Sequence, residues 1–468
     1  MSAIKRLAVC HNKNSLMSGK IKEACGVFGA FAPGKNLSQA TVYALYALQH
    51  RGQESAGLAI SDGQKIYLKK GMGLVSKVFS GPLGLEDVNA VASVGHVRNS
   101  IDGDSQPENT QPLLVRYRGG HLAIAHNGNI INAEKLRAKL ENEGSIFQTT
   151  TDSELVTHLI ARYGSDDLPS SLKNILPLLK GAYSFVFLTE KKLVGVRDPH
   201  GIRPLSLGRW EGHYVLASET CAFDTIGAEF IKEVNPGEMV IISREGLESI
   251  QFLASNSTAL CIFEFVYFAR PDSDIQGKNV HLVRKELGRQ LAREHPLQAD
   301  LVTGVPDSSL AAASGFAERA GLPYEMGLIK NRYIGRTFIQ PDEGIRNTGV
   351  QLKLNPVQKV VQGKSIVVVD DSIVRGTTSK KIIKMFFKAG AREVHLRISS
   401  PPIISPCYYG INIQTSEELI GSKKEVEEIR RELGATSLGY LSARGMLEAV
   451  GMPAKNACMG CFSRKYPI

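Results

Sequence analysis

Two successive aspartates, Asp370 and Asp371, end the apolar run 366–369, and a loop of small donors, Arg375-Gly376-Thr377-Thr378-Ser379, follows. Carboxylates accept hydrogen bonds from vicinal hydroxyls. Backbone amides and hydroxyls converging where a helix starts hold a phosphate, with the helix dipole behind them. Side by side the two devices suit a sugar phosphate, and a ribose 5-phosphate fits both. A second reactive group lies far upstream, where Cys25 follows a polar leader and precedes the strand-like "GVFG". A lone thiol there says little until "LQHRGQESAG" (48–57), "GHVR" (95–98), "HNGNI" (126–130) and "TTTDSE" (149–154) are set beside it.

The elements that must position these groups come in two rhythms. From Cys25 to about residue 250 the chain reads as short apolar or alternating strands punctuated by Gly and Asn, among them "CGVFGAFA", "VASVGHVR", "HLAIAHNG" and "AYSFVFLT". Two helices are interleaved: "LSQATVYALYALQHRG", ending at Gly52, and "TTDSELVTHLIARYG", opened by a capping-box pattern at Thr151 and Glu154 and closed at Gly164. This half is a layered α/β or α+β domain. Near residue 258 the pattern becomes βαβ: helix "NVHLVRKELGRQLARE", strand "DLVTGVP", helix "SSLAAASGFAERAG", strand "SIVVVDD", helix "TTSKKIIKMFFKAG", strand "EVHLRISSPPI". Such alternation predicts a parallel sheet with ligands at the carboxyl ends of its strands, where Asp370 and Asp371 emerge. The boundary falls within residues 251–260.

Bulk properties narrow the function classes. A chain of 468 residues with 43% hydrophobic and 22% charged residues is that of a globular protein of about two domains. Apolar stretches fall short of the ~18–20 residues a bilayer requires, and the first 24 residues lack a secretory core, so a cytoplasmic protein is expected. A net charge of +10 without a basic stripe interleaved with aromatics points to phosphorylated small molecules, not to nucleic acid or a membrane.

The string 366–379 resembles the phosphoribosylpyrophosphate (PRPP) motif of type I phosphoribosyltransferases. "TGVPDSS", with Asp307 and Ser308, resembles their pyrophosphate loop. "KNRYIGRTFIQP", with Lys330, Arg332 and Arg336, resembles the flexible loop that closes over PRPP. The upstream motifs look like the glutaminase domain of N-terminal-nucleophile amidotransferases. That resemblance implies removal of residues 1–24, attack on glutamine by Cys25, an oxyanion hole at Asn127 and Gly128, and recognition of the amino acid by Arg98 and Asp152. Asn99, Ser100 and Ile101 depart from the usual aromatic and Ser/Ala-Thr after that arginine, which puts glutamine fit and interdomain coupling in question.

Seven cysteines in such a chain point away from disulfides. Cys458-x2-Cys461 with the isolated Cys261 and Cys407 supplies four thiolates, and the spacing leaves zinc, an iron–sulfur cluster or coincidence open. Cys10 would leave with the leader, and Cys221 reads as a buried small residue.

Taken whole, the chain is similar to glutamine PRPP amidotransferases of the Bacillus type. That resemblance implies an αββα glutaminase domain over 25–258, a type I phosphoribosyltransferase domain with a parallel sheet over 259–445, and a ligand-bearing tail over 446–468. It implies glutamine, PRPP and water giving 5-phosphoribosylamine, glutamate and pyrophosphate, the first step of purine synthesis, with ammonia channelled between sites. It further implies one [4Fe–4S] cluster on Cys261, Cys407, Cys458 and Cys461, one Mg²⁺ near Ser308, Asp370 and Asp371, feedback by purine nucleotides, and a homotetramer. Two rivals are a PRPP-binding regulator, against which the complete glutaminase half speaks, and a glutaminase feeding another acceptor, which would need a different second domain.

Overall fold

Cys25–Phe31 (β1) is buried at every position, so it must lie between covering layers and not at a wet surface. The computed structural model describes residues 25–85, 88–100, 105–165, 167–254, 257–331, 353–413 and 415–468. The leader with Cys10, Ile101, Arg332 and Arg336 lie outside the described residues.

β1 sits inside a seven-stranded antiparallel sheet. Its partners are β2 (Ser55–Ser61), β3 (Ile66–Met72), β4 (Ala92–Arg98), β9 (Ser206–Trp210), β10 (His213–Ala217) and β11 (Glu229–Glu233), in the order β11-β9-β10-β1-β4-β2-β3. A second antiparallel sheet holds β5 (Leu113–Tyr117), β6 (Gly120–Ile130), β7 (Gly181–Leu188), β8 (Leu193–Arg197), β12 (Glu238–Ser243) and β13 (Gly246–Gln251). Val27, Ala59 and Val94 of the first sheet meet Ala123, Val186 and Val240 of the second in one core. Helix α1 (Leu37–Ala47) covers the outer face of the first sheet. Helices α2 (Asp152–Tyr163) and α3 (Leu168–Ile175) cover that of the second, where Leu155 and Leu172 share a core with Ile124 and Phe187. The layering is helix, sheet, sheet, helix.

Two local expectations fail. α1 stops at Ala47 instead of running to Gly52, because the next residues find tertiary partners: Gln49 Oε1 accepts the Val75 amide at 2.7 Å and Arg51 turns inward to buried carboxylates. The capping box at α2 is not made. Thr151 is the N-cap residue, but its hydroxyl bonds Thr149 Oγ1 at 2.8 Å instead of capping the helix, and Glu154 accepts the Gln148 and Thr149 amides at 2.8 and 2.7 Å, tying down the preceding loop.

The second half carries four parallel strands in sequence order: β14 (Leu301–Gly304), β15 (Ser365–Asp370), β16 (Glu393–Ile398) and β17 (Ser437–Tyr440). Val367 and Val369 pack under α4 (Val280–Glu294), α5 (Leu310–Ala320) and α8 (Ala443–Val450). Ile366 and Val368 pack under α6 (Thr377–Lys388) and α7 (Val426–Leu433). With both faces covered, β15 reads as a continuous apolar run. The chain end returns to the start of this half, where Cys261 and Cys458 are register partners in a short parallel pair. A π-helical turn, Glu264–Phe268, follows. Among the described residues, no helix is long and apolar enough to cross a membrane.

Candidate active sites

Pairing of β1 with β4 sets Cys25 opposite Arg98. The thiol is buried, and burial pushes its pKa up to about 12; Asp152 acts in the same direction, while Arg98 and the Asn99 amide oppose it. Such a thiol is neutral near pH 7 and needs a base to become a nucleophile. Arg98 is itself buried and donates from Nη1 to Ser100 Oγ at 3.1 Å.

Asp152 opens α2 and is likewise buried. Its Oδ2 accepts the Ile130 amide at 2.9 Å and its Oδ1 accepts from His126 Nδ1 at 3.2 Å. Burial works against the charge, yet His126, the Ile130 amide and the Ser153 hydroxyl together hold the carboxyl below the ordinary range.

One edge of β6 explains the "HNGNI" motif. Beyond Ile124 its pairing with β5 has ended. The His126 amide there donates to Gln111 Oε1 at 2.8 Å and the Ile130 amide to Asp152. Amides alternate along a strand, so the Gly128 amide between them faces the same edge. Beside it, Asn127 is fully buried, and among the described residues neither atom of its side-chain amide has a hydrogen-bond partner. Leaving such a group unpaired costs about 1–3 kcal/mol, a cost removed when a ligand oxygen arrives. Gly128 has φ 147° and a Cβ there would lie 2.0 Å from Ala182 O, so only glycine fits.

The twin aspartates at the end of β15 are both buried. Asp370 Oδ1 accepts from Ser309 Oγ and the Asp371 amide, each at 3.0 Å. Asp371 accepts from Ser308 Oγ and, at 2.7 Å, from Ser372 Oγ. Of the pyrophosphate-loop candidates, Ser308 therefore meets the carboxylates directly. Gly376, with φ 76°, turns the chain into α6, whose N-terminus no described side chain caps and whose first turn carries no acid. The amides of Thr377, Thr378 and Ser379 stand at that end. Arg375 is tied to Glu418 at 2.6 Å, and Lys330 pairs with Asp307.

The four cysteines are brought into one neighbourhood. Cys261, Cys458 and Cys461 are buried and share one core, with Cys407 packed against it. Burial raises all four thiols; Cys461 feels the other three. Among the described residues, however, no group of three or more His, Cys, Asp or Glu side chains is gathered as a single metal ion would need. Cys221 is buried with Sγ directed at Ala47 O, as a small packing residue.

Sequence reasoning missed the joint between the sites. Arg51 Nη2 donates to Glu264 Oε2 at 2.7 Å, and Arg203 Nη1 to Glu264 Oε1 at 3.1 Å. Arg51 also pairs with Glu219, and all four side chains are withdrawn from solvent. One signal was present: Glu264 stands alone in the apolar run "CIFEFVYF". Ser309, His126 and Gln111 were also missed, since each acts through another residue.

A glutamine amidotransferase domain family matches residues 96–225. The amidophosphoribosyltransferase of Bacillus subtilis (strain 168) is 52% identical over 452 residues, covering 96% of this chain and 94% of that protein. The Methanothermobacter thermautotrophicus enzyme of the same name is 49% identical over 457 residues, 97% and 96% of the two chains. The solved structure of the glutamine PRPP amidotransferase from B. subtilis complexed with ADP and GMP superposes with a TM-score of 0.89 at 52% identity, covering 95% of this chain and 97% of that one. A structure titled as the allosteric regulatory enzyme of purine biosynthesis gives 0.90 at 51% identity, covering 95% and 96%. With about half its residues identical along nearly the full length of these relatives, the chain belongs to the amidophosphoribosyltransferase family.

Proposed function

We infer that this chain catalyses the first step of purine synthesis, converting glutamine, PRPP and water to 5-phosphoribosylamine, glutamate and pyrophosphate. One observation carries the reading: the fully buried Asn127 amide, without a hydrogen-bond partner among the described residues and with Arg98 and Asp152 beside Cys25, shares a chain with twin carboxylates at the carboxyl end of an interior parallel strand.

In the glutaminase half, Cys25 Sγ attacks the side-chain carbonyl carbon of glutamine. Its proton passes to the α-amine that removal of residues 1–24 would free, a group titrating near neutrality, and then to departing ammonia. Asn127 Nδ2 and the Gly128 amide take the oxyanion, Arg98 pairs with the α-carboxylate, and Asp152 receives the ammonium. Water then resolves the thioester to glutamate.

In the other half, Asp370 and Asp371 grip the ribose hydroxyls while Gly376, Thr377, Thr378 and Ser379 hold the 5-phosphate. Lys330 exchanges Asp307 for the pyrophosphate, which Ser308 also binds and whose charge Arg332 would help to offset, and Arg375 borders the phosphate loop. Ammonia attacks C1 of the ribose as the C1–O bond breaks, and reaches it through a channel formed on closure.

The oxygen donors Ser308, Asp370 and Asp371 suit a hard cation, with most ligands coming from substrate and water. Bound there, Mg²⁺ would neutralise charge on the departing pyrophosphate. Four thiols brought into one neighbourhood could hold zinc or a polynuclear centre, and the similarity to the Bacillus-type enzymes favours a [4Fe–4S] centre. Such a centre would pin the C-terminal tail to the start of the second half. Purine nucleotides as regulators, a homotetramer, a cytoplasmic setting and the division at 25–258, 259–445 and 446–468 complete the reading.

The deciding experiment compares pyrophosphate release from PRPP driven by glutamine and by ammonium, using protein that begins at Cys25. Release with both is expected. Release with neither would overturn the assignment.

A further inference from the structure

The loop 407–413 lies where the two halves meet, and the chemistry above gives it no role beyond Cys407. It closes on itself through the Cys407 amide and Ile413 carbonyl at 3.0 Å. Three of its residues then reach the first half. Tyr408 O accepts from Asn129 Nδ2 at 2.9 Å, Tyr409 O accepts from Arg203 Nε at 3.0 Å, and Asn412 Nδ2 donates to Ser100 O at 3.4 Å. Gly410 fits between them: a Cβ there would stand 2.8 Å from Arg203 Nη2 and 3.3 Å from the Gly128 carbonyl carbon. The receiving residues are not arbitrary. Asn129 directly follows Asn127 and Gly128, and Ser100 lies two residues beyond Arg98.

We propose that this loop is a positioning element of the glutaminase site, with Asn129 and Gly410 fixing where the oxyanion donors of β6 stand. The need is physical. Past Ile124, β6 is paired on one side only, by β7, so its free edge lacks a neighbouring strand to hold it. Catalytic donors must be kept within about 0.5 Å of their working position, and a displacement near 1 Å costs up to about 100-fold. The Asn129 side chain bonded to Tyr408 O, with the Gly410 backbone drawn up so near Gly128 that a Cβ would crowd it, supplies a stop from the far half of the chain. Glutamine hydrolysis thereby depends on a loop that holds none of its chemistry.

The inference rests on the proposed glutaminase reaction, and its test separates the two. Glutamine-driven and ammonium-driven pyrophosphate release are measured for the full mature chain, for Asn129→Ala, for Asn129→Asp and for Gly410→Ala, with thermal midpoints alongside. Asp keeps the shape of Asn but presents only acceptors to the Tyr408 carbonyl. Expected is a fall of about tenfold or more in the glutamine kcat for all three variants. The glutamine KM should stay within about twofold, because Arg98 and Asp152 are untouched, and ammonium-driven release should be unaltered. Labelling of Cys25 by an electrophilic glutamine analogue should slow in parallel with kcat. A wild-type glutamine kcat in Asn129→Ala or Asn129→Asp overturns the inference, as does equal loss of both activities. If the unsubstituted chain itself uses no glutamine, the parent reaction falls and this inference with it.

Discussion

Arg51 and Glu264, 213 residues apart, meet as a fully buried ion pair, with Arg51 Nη2 donating to Glu264 Oε2 at 2.7 Å. Glu264 also receives Arg203, so removing one carboxylate takes a charged partner from two buried guanidinium groups at once, leaving Arg51 with Glu219 and Arg203 with the Tyr409 carbonyl. Breaking a buried pair from one side costs about 3–5 kcal/mol. Glu264→Ala should lower unfolding stability by that order, read from the urea midpoint.

Asn127 offers the cleanest test of the oxyanion site, since its side-chain amide has no bond in the resting protein to lose. Asn127→Ala should reduce glutamine-driven kcat by about 10²–10³-fold and leave the thermal midpoint unchanged or raised. Cys25→Ala should abolish glutamine use and spare synthesis from high ammonium. Equal loss of both activities in Cys25→Ala would make that thiol structural.

Asp371 accepts from Ser308 and Ser372, so its charge is already placed for a sugar hydroxyl. Asp371→Asn keeps the shape and removes the charge. Hydrogen bonds to charged groups are worth about 1.5–3 kcal/mol, so kcat/KM for PRPP should fall by about 10- to 150-fold. Attack of Cys25 on glutamine, forming the thioester and releasing ammonia, should persist and be detected by trapping the acyl-enzyme.

Acid should act through carboxylates whose folded pKa is depressed. Glu219 is buried, which disfavours its charge, but Arg51, His50 and Ser273 more than compensate, and Asp152 is held low by His126. The unfolded chain protonates these groups near pH 4. Their contribution is therefore complete above that pH and lost as pH falls through it toward the folded values. Urea midpoints between pH 6 and pH 3 should drop steeply at the low end, and Glu219→Gln should flatten that slope. A slope unaltered by the substitution would rule Glu219 out.

The four-cysteine site makes a spectroscopic prediction. Protein purified without oxygen should be brown, with about four irons per chain, and Cys458→Ser should bleach it. Colourless, zinc-loaded, active protein would replace the cluster with a single ion.

Legibility in the sequence followed the range of each interaction. β15 and α6 were plain, because an unbroken apolar strand, two acids and a small-residue turn encode their own geometry within fourteen residues, 366–379. The glutaminase residues were visible as motifs, yet the reason for "HNGNI" was not: it takes Gln111 and Asp152, from elsewhere in the chain, to leave one amide between two occupied ones. α1 was read five residues too long, since nothing local says that Gln49 and Arg51 have distant partners. Asn99, an oddity in the sequence, is a bracket in the structure, accepting the Gln53 amide at 2.9 Å and donating to Arg51 O at 3.0 Å.

The π-helical turn 264–268 has a bearing on protein engineering. Arg284 donates to Phe265 O and Ala269 O, both at 2.8 Å, from one side, and Arg51 reaches Glu264 from the other. Anyone grafting a foreign sugar-binding half onto this amide-cleaving half must transplant that wide turn with its acid, or the seam would bury two cations that have lost a shared counter-charge. The halves are thus poor candidates for free shuffling, and a recombinant cut upstream of residue 258 should survive only where the incoming half brings its own acid at the place of Glu264.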